Sequence, residues 1–284
     1  MVKTEVCIAV PASMVSDTPH LREKTAKVGL VARAAAIFQV GEVIVYPDNP
    51  RVNQRGDMEL VTRLLAYAET PQYLRKRLFK LTPELKYAGI LPPLRTPHHP
   101  TNRESRRLRV GDYREGFVVS RAPGGLLVDV GVERLATMTP INARVGERVT
   151  VKVTSVDDVL AVQRASRAEI PVYWGYCVRT EKRSFSKLVE EGRFDLTVAT
   201  SRLGSPFMKV AAELVVRWRQ ARKVLIAFGA PARGLHEVVK TEGGVLEDLV
   251  DFVVNTVPNQ GTETVRTEEA IIATLAIFNV QVNG

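Results

Sequence analysis

Two parts of the chain alternate short apolar runs with helical segments, and this alternation constrains the fold more than any other feature. Residues 1–92 contain strand-like runs at 5–10 and 42–46, each followed by a predicted helix. From about residue 165 the alternation returns, with predicted strands at 171–179, 195–200, 223–228 and 251–257. Such alternation is typical of a parallel sheet covered by helices. We therefore predict an α/β fold.

The middle of the chain has a different sequence pattern. Residues 91–110 are rich in proline and arginine and show no period, and five short strand-like runs follow them. This spacing favours a small antiparallel β-barrel, for which an OB-like barrel is the leading candidate. We predict one discontinuous α/β domain, residues 1–92 and 165–284, with the barrel inserted at 93–164. Three consecutive domains are the alternative.

Positive charge is concentrated in one stretch. The formal net charge is +9, and residues 71–121 hold twelve Lys and Arg against four Asp and Glu, which is +8 of that total. A localised basic stretch is expected where a protein contacts a phosphate backbone. The alternative is a solvated, arginine-rich surface without such a partner.

The remaining composition is that of an ordinary globular protein. Apolar residues make up 45% of the chain, and no run approaches the roughly 18 apolar residues that a membrane span requires. The first apolar run is too short for a signal peptide. Two isolated cysteines, Cys7 and Cys177, do not make a disulfide framework. We expect a cytoplasmic protein without membrane contact.

Three polar, glycine-bearing loops follow the late strands, at residues 201–206, 229–234 and 258–266. In open α/β sheets, ligands bind beyond the carboxyl ends of the strands, and glycine lets the backbone approach a ligand closely. The amide and hydroxyl side chains of the last loop can hydrogen-bond an adenine edge or a ribose. Thr267 is the predicted N-cap of the final helix. The alternative is three ordinary turns without a ligand.

Several common sites are missing from the sequence. It contains no G-x-G-x-x-G and no G-x-x-x-x-G-K-[ST], which argues against a dinucleotide-binding fold and a P-loop NTPase. No C-x-x-C or H-E-x-x-H occurs, and His98 and His99 stand between prolines without nearby cysteines. We therefore predict no metal site.

Three segments resemble the motifs of SPOUT-class RNA methyltransferases. KVGLVARAAAIFQVGEVIVY (27–46) is similar to the first motif, in which an arginine, here Arg33, precedes A-x-x-F and a strand. AFGAPARG (227–234) resembles the middle loop, and VPNQGTETVRTEEAIIATLAIF (257–278) resembles the last motif. The resemblance covers nearly the whole chain. It is closest to the archaeal and eukaryotic branch that carries an OB-like insert.

The resemblance implies a fold and an activity. The sheet would end in a trefoil knot, a rare exception to the rule that chains are not knotted. The enzyme would be a homodimer that uses S-adenosylmethionine to methylate RNA, either rRNA or tRNA, on a base or a ribose. A non-catalytic RNA-binding or ribosome-assembly protein on the same scaffold is the alternative.

The resemblance and the three loops together indicate candidate site residues. Arg33, Arg266 and Glu268 are the candidate catalytic residues. The predicted cofactor-binding residues are Thr200, Arg202, Gly204, Phe228, Gly229, Gly234, Asn255, Pro258, Asn259, Gln260, Thr262, Thr264 and Val265. The predicted RNA-binding residues are Arg75, Lys76, Arg77, Arg103, Arg106, Arg107, Arg109 and Arg114. Tyr73, Tyr113 and Phe117 are candidates for stacking on bases.

Overall fold

A computed structural model of the chain describes residues 4–283. These residues form two compact units. The sheet unit contains the chain up to Ala68, Pro83–Pro93 and the chain from Tyr176 onward, and the barrel unit contains Glu69–Thr82 and Leu94–Gly175. The barrel unit thus includes a helical stretch before residue 93. The functional domain boundaries at 92/93 and 164/165 stay a prediction.

The described residues form eleven strands and eight α-helices. The strands are β1 (Glu5–Pro11), β2 (Glu42–Tyr46), β3 (Tyr113–Ala122), β4 (Gly125–Asp129), β5 (Ala136–Met138), β6 (Arg148–Ser155), β7 (Ala161–Arg164), β8 (Cys177–Thr180), β9 (Leu196–Pro206), β10 (Lys223–Ala227) and β11 (Phe252–Asn255). The helices are α1 (Leu21–Ile37), α2 (Arg55–Glu69), α3 (Gln72–Leu78), α4 (Phe185–Glu191), α5 (Phe207–Gln220), α6 (Leu235–Thr241), α7 (Leu246–Leu249) and α8 (Thr267–Asn283).

The sheet unit is built on six parallel strands in the order β11-β9-β10-β1-β2-β8. Strand β1 lies inside the sheet between β10 and β2, and its residues Cys7–Val10 are fully buried. Burial on both faces explains why this strand reads as a continuous apolar run rather than an alternating one. The predicted α/β fold with a parallel sheet is confirmed.

The last helix closes the sheet unit. Ile271, Leu275 and Phe278 of α8 are at most 3% exposed, as their spacing of three to four residues predicts for one buried helix face. The Phe278 ring lies 5.3 Å from Phe207 and 5.5 Å from Trp218, measured between ring centroids. Helix α8 also contacts α1, so the end of the chain packs against its beginning.

The barrel unit contains a closed five-stranded barrel in the order β3-β4-β5-β7-β6. Val118, Leu126, Val128, Met138 and Val151 are fully buried in its core. The predicted five-stranded barrel is confirmed, with one difference. The pair β5 and β7 is parallel, because β7 closes the barrel by pairing with β5 on one edge while it stays antiparallel to β6 on the other.

Two strands differ most from their predicted bounds, and β11 is also shorter than the predicted 251–257. Strand β9 continues through Pro206, where a turn was expected at 201–206, and β8 is confined to Cys177–Thr180 rather than 171–179. Residues 171–176 lie outside the strands even though Trp174 and Tyr176 are buried. An apolar run indicates burial in this case, without specifying a strand. None of the helices in residues 4–283 is long and apolar enough to cross a bilayer.

Candidate functional site

A cleft of about 540 Å³ lies in the sheet unit beyond the carboxyl ends of β9, β10 and β11. Its walls come from residues 200–203, from the loop after β10, and from residues 254–257 and the loop that follows them. Small-molecule sites in proteins span roughly 300–1,000 Å³, so the cleft has the size of a nucleoside-containing ligand. It is the place where three strand ends meet, as expected for an open α/β sheet.

A large bulge in β9 forms one wall. Val253 of β11 pairs with Ala199, whereas the next residue, Val254, pairs with Ser205. Residues 200–204 are therefore looped out between two consecutive positions of the ladder. The bulge ends at Gly204, where an added Cβ would lie 2.8 Å from the backbone of Val253 and Val254. Only a residue without a side chain lets β9 return to β11 at this point.

Hydrogen bonds tie this bulge to the last loop. The Asn255 side chain donates to the carbonyl of Arg202 at 3.0 Å, and the Arg202 guanidinium donates to the carbonyl of Glu263 at 3.0 Å. The Gln260 amide donates to the carbonyls of Thr262 and Glu263 at 2.9 and 3.1 Å. The many polar side chains of this loop thus hold the loop itself in shape.

The floor of the cleft is anchored to the sheet. The Tyr46 hydroxyl, fully buried, donates to the carbonyl of Phe228 at 2.7 Å. The hydroxyl of Thr200 donates to the carbonyl of Ala227 at 3.0 Å. Thr267 is the first residue of α8 rather than its N-cap, and its hydroxyl donates to the carbonyl of Gly229 at 3.0 Å. A hydroxyl that points into the molecule ties the loop after β10 to α8 instead of capping the helix.

Nine of the thirteen predicted cofactor-binding residues line the cleft. They are Thr200, Arg202, Phe228, Gly229, Gly234, Asn255, Gln260, Thr264 and Val265. The other four, Gly204, Pro258, Asn259 and Thr262, do not belong to its lining. Gly204 closes the β9 bulge, and Asn259 holds a left-handed backbone conformation with a φ of 58°. The backbone shape of the loops explains why these positions hold glycine and asparagine, and neither residue needs to contact a ligand.

The lining fits S-adenosylmethionine in its chemistry. Val257 and Val265, both half-buried, offer apolar surface to a purine, and backbone groups of the three loops offer donors and acceptors to its edges. A Cβ added at Gly234, which lines the cleft, would meet no atom within 4 Å. Glycine at this position leaves space that a ligand can occupy.

The three candidate catalytic residues lie apart from this lining. Arg33, on α1, donates to the carbonyl of Pro93 at 3.1 Å. Arg266 directly precedes α8, and its backbone N–H donates to the Glu269 carboxylate at 2.9 Å. Glu268 is only 3% exposed. The fold brings Arg266 and Glu268 together at the start of α8, and Arg33 lies elsewhere on α1.

Glu268 belongs to a group of charges with Lys27, which is also buried, and Asp17, which is exposed. Lys27 Nζ is 2.6 Å from Asp17 Oδ2 and 3.8 Å from Glu268 Oε1. Burial opposes ionisation of Asp17, but its bonds from Lys27 keep its pKa below the ordinary value. Glu268 Oε2 is buried and finds no hydrogen-bond donor among residues 4–283. A buried carboxylate oxygen without a donor is costly to the folded state.

The sequence reasoning missed a group of side chains beside the cleft. Ser201 Oγ lies 3.2 Å from His236 Nδ1, and His236 Nε2 lies 2.8 Å from Glu247 Oε1. Ser201 and His236 both line the cleft. The three residues are far apart in sequence, and α7, which carries Glu247, was not predicted. No spacing rule along the chain identifies such a set.

The predicted RNA-binding residues of the barrel unit differ in exposure and in their partners. Lys76, Arg103 and Arg109 are exposed. Arg77 pairs with Asp129 at 2.7 Å, and Arg106 and Arg107 pair with Glu104 at 2.7 and 3.2 Å. Arg75 donates to the carbonyl of Thr70. Arg114 is the exception to the prediction, because it is 3% exposed and donates to the carbonyl of Asn102 inside the unit. Its guanidinium is not accessible to a phosphate in this fold.

The candidate stacking aromatics also have protein partners. The Tyr73 hydroxyl donates to the carbonyl of Glu115, and a Cβ at Gly131 would lie 2.6 Å from its ring, so Tyr73 is part of the packing. A cation lies over each of the other two rings: Arg77 over Phe117 and Lys152 over Tyr113.

One group of side chains in the described residues has the spacing of metal ligands. Glu5, Cys7 and Glu42 place ligand atoms within 4.8 Å of one another. However, Arg179 and Lys223 already bind Glu42, at 2.7 and 3.3 Å. Burial raises the pKa of the Cys7 thiol well above its ordinary value, so the thiolate that metals bind does not form readily. These contacts satisfy the cluster without a metal ion.

Comparison with known proteins adds the family. Residues 5–278 match the family described as "Putative RNA methyltransferase". The chain is similar to an uncharacterized protein of Halobacterium salinarum, with 37% identity over 94% of this chain and 96% of the relative. It is also similar to the 28S rRNA (uridine-N(3))-methyltransferases of Homo sapiens and Drosophila melanogaster. The human enzyme is 32% identical, covering 95% of this chain and 76% of the relative, and the fly enzyme is 34% identical, covering 95% and 60%.

The parallel sheet with its cleft at the strand ends, and the barrel unit beside it in the chain, define an α/β enzyme of the RNA methyltransferase class. The chain belongs to this RNA methyltransferase family. The predicted enzyme class is thereby confirmed.

Proposed function

We propose that the protein transfers the methyl group of S-adenosylmethionine to N3 of a uridine in large-subunit rRNA. The observation that carries the proposal is the cleft bounded by three loops, whose size and lining suit the methyl donor. The names of the human and fly relatives supply the target atom and the RNA. When bound, S-adenosylmethionine supplies an activated methyl group, so the protein's main task is to hold the partners in line.

The proposed fold is of the SPOUT type with a trefoil knot. In support, β11 lies outside β9 although β10 intervenes in the chain, and the following helix α8 returns to contact α1. The barrel is proposed to be OB-like. Its strand order and its one parallel pair, β5 with β7, support this view.

Arg33, Arg266 and Glu268 remain predicted catalytic residues, and the four cofactor-binding residues outside the lining remain predictions as well. Arg33 and Arg266 would orient a phosphate of the target nucleotide. We propose that Glu268 acts on the site through its buried pairing with Lys27 near the start of α8, because its carboxylate is only 3% exposed.

A homodimer is also proposed. Two contacting helices of the sheet unit each expose large apolar side chains, which are Leu30 and Ile37 on α1 and Ile272 and Val280 on α8. A second copy would remove these side chains from water. Sedimentation should then report about twice the chain mass of 31.5 kDa, and a monomer at micromolar concentration would contradict the proposal.

We propose that the exposed cations of the barrel unit bind the RNA backbone and that the enzyme is cytoplasmic. The direct test of function is calorimetric titration with S-adenosylmethionine, followed by incubation with transcribed large-subunit rRNA and nucleoside analysis for 3-methyluridine. Binding together with 3-methyluridine supports the proposal. Methylation of another atom would correct the target, and absence of binding would favour a non-catalytic RNA-binding protein on this scaffold.

A further inference from the structure

One wall of the cleft carries a hydrogen-bonded chain of three side chains: Ser201 from the β9 bulge, His236 from α6 and Glu247 from α7. The order of the contacts is hydroxyl, imidazole and carboxylate, with separations of 3.2 and 2.8 Å. Ser201 lies at the cleft end of this chain, and the exposed Glu247 lies at the other end. In enzymes, a carboxylate behind a histidine orients the ring and stabilises its charged form.

The direction of the hydrogen bonds follows from the carboxylate. The hydrogen bond from His236 holds the pKa of Glu247 below its ordinary value, so this carboxylate is ionised and only accepts. His236 Nε2 must therefore carry the hydrogen, which leaves Nδ1 as an acceptor in the neutral ring. Ser201 then donates its hydroxyl hydrogen to Nδ1.

This arrangement leaves the Ser201 hydroxyl oxygen with one lone pair that can still accept a hydrogen bond. Its oxygen also accepts a hydrogen bond from the backbone N–H of Leu203 at 3.1 Å. A hydroxyl oxygen has two acceptor lone pairs and one hydrogen. One lone pair therefore remains available to an N–H group of a molecule in the cleft.

The proposed reaction needs such an acceptor. At neutral pH, N3 of uridine carries a hydrogen, and its lone pair is not available to a methyl group until that proton leaves. A suitable base has a pKa near the working pH, which favours histidine among side chains. The other ionisable residues lining the cleft are Arg202, Glu237 and Glu263. Arg202 is always protonated, and Glu237 on α6 pairs at 3.3 Å with Arg233, which lies just before that helix.

We propose that Ser201, His236 and Glu247 form a proton relay that deprotonates N3 of the target uridine, an inference that rests on the proposed function. The N3 hydrogen passes to Ser201 Oγ as the serine hydrogen passes to His236 Nδ1. N3 bonds to the methyl carbon as the sulfur–methyl bond breaks and its electron pair stays on sulfur. The proton resides on His236 as an imidazolium paired with Glu247, and its loss to solvent from Nδ1 before the next turnover restores the neutral ring with its hydrogen on Nε2.

The geometry assigns this proton to His236 rather than to Glu268. Glu268 is 3% exposed and does not line the cleft. The charged residues on the elements that carry or adjoin these side chains are Glu247 on α7, Glu237 on α6, Arg233 just before α6 and Arg202 on the bulge. Of these, Glu247 makes a direct hydrogen bond to the ring.

The first test is the tautomer of His236, which requires no activity. The chain has four histidines, so the H236Q variant assigns the His236 signals in a nitrogen-15 spectrum of the imidazoles. The relay requires the neutral ring to carry its hydrogen on Nε2. A hydrogen on Nδ1 would overturn the proposal, because Ser201 could not then donate to the ring.

The second test is kinetic. The H236A variant should lower kcat by about 100-fold or more, the usual contribution of a general base. It should leave the Kd for S-adenosylmethionine within about threefold of wild type, regain part of its rate with added imidazole, and lose the acidic limb of the pH–rate profile. S201A should lower kcat similarly but without rescue by imidazole. His20→Gln, an exposed histidine that does not line this cleft, is the matched control.

The outcomes separate the relay from the proposed function. An unchanged kcat in H236A, or a loss of cofactor affinity equal to the loss of kcat, would overturn the relay while wild-type 3-methyluridine formation still supports the function. Wild-type protein that forms no 3-methyluridine argues against the proposed function. The relay would then be overturned as well, whichever nitrogen of His236 carries the hydrogen.

Discussion

The hydroxyl of Thr267 and the carbonyl of Gly229 share a hydrogen bond of 3.0 Å, which joins the start of the last helix to the loop after β10. Thr267 is 2% exposed, so water does not readily replace the bond. One buried side chain thus fixes the loop after β10 relative to the end of the last loop.

Replacement of Thr267 by Val removes this donor while keeping the shape of the side chain. We expect the free energy of unfolding to fall by about 1–3 kcal/mol, since the half-buried Gly229 carbonyl loses its partner. Affinity for S-adenosylmethionine should also fall. Urea unfolding and calorimetry measure the two effects, and Thr267→Ser, which keeps the hydroxyl, is the control. Equal behaviour of the two variants would show that the bond does not matter.

Gly234→Val tests whether the open space at this glycine belongs to the binding site. Gly234 has an extended backbone, with φ of −69° and ψ of 166°, and an added Cβ meets no atom within 4 Å. The fold should therefore tolerate the change. The Kd for S-adenosylmethionine should rise at least tenfold. Gly56→Ala, whose Cβ also meets no atom but lies in α2, should bind normally. Normal binding by Gly234→Val would move the ligand elsewhere in the cleft.

Lys27 and Glu268 should respond to mutation in opposite ways. Lys27→Met leaves the Asp17 and Glu268 carboxylates without their cation, and the loss of one partner from a buried pair costs about 3–5 kcal/mol. Glu268→Gln removes a buried charge whose Oε2 has no donor, so its stability should stay within about 1 kcal/mol of wild type. Urea unfolding compares the two variants. A severe loss of stability in Glu268→Gln would mean that the Lys27 pairing is stronger than its 3.8 Å separation indicates.

Glu69 makes the barrel unit sensitive to acid. It is 4% exposed, and Arg148 contacts its two carboxylate oxygens at 2.7 and 3.1 Å. Burial alone would raise the pKa of Glu69, but its contacts with His98 and Arg148 lower it from 4.5 to about 2. Because the folded-state pKa lies below the unfolded one, the stabilisation is complete above pH 4.5 and is lost as the pH falls toward 2.

The fluorescence of Trp174, which lies in the barrel unit, can follow this loss of stability in a Trp218→Phe background. Glu69→Gln should weaken the pH dependence between 2 and 4.5 and lower stability at pH 7, since Arg148 loses a charged partner. Glu104→Gln, at an exposed ion pair, should change stability by no more than about 1 kcal/mol. An unchanged acid transition in Glu69→Gln would contradict this account.

The exposed cations Lys76, Arg103 and Arg109 should set the salt dependence of RNA binding. Each phosphate contact adds about 0.7–0.9 to the slope of log affinity against log salt. Replacing all three by Ala should therefore lower that slope by about 2. A triple variant at Arg51, Arg219 and Lys240, exposed cations of the sheet unit, is the matched control. Equal slopes for the two variants would place the RNA elsewhere.

The alternation of strands and helices was sufficient to predict the parallel sheet, because buried strands and amphipathic helices leave strong local patterns. The same holds for the five barrel strands. Helix α3 belongs to the barrel unit although it precedes the predicted boundary at residue 93. Membership depends on contacts between residues far apart in sequence, and hydrophobic periodicity carries no information about them.

The candidate site was likewise predictable only in part. Glycine and polar residues after three strands predicted the position of the cleft, because parallel strands end at one edge of the sheet. The cluster of Ser201, His236 and Glu247 could not be predicted, since it depends on the β9 bulge and on a four-residue helix. The burial of Arg114 was likewise invisible, because arginine in a basic stretch reads as exposed.

The length of a strand and the register of the residues after it are usually coupled in a sheet, and the bulge at residues 200–204 separates them. Changing the length of a strand normally shifts its register and turns each following side chain to the other face. In this sheet the ladder skips residues 200–204 and resumes at Ser205, directly after the close backbone approach at Gly204. The segment that shapes the cleft can therefore gain or lose residues before Gly204, and so adapt to a different ligand, while the six-stranded scaffold beneath it stays the same.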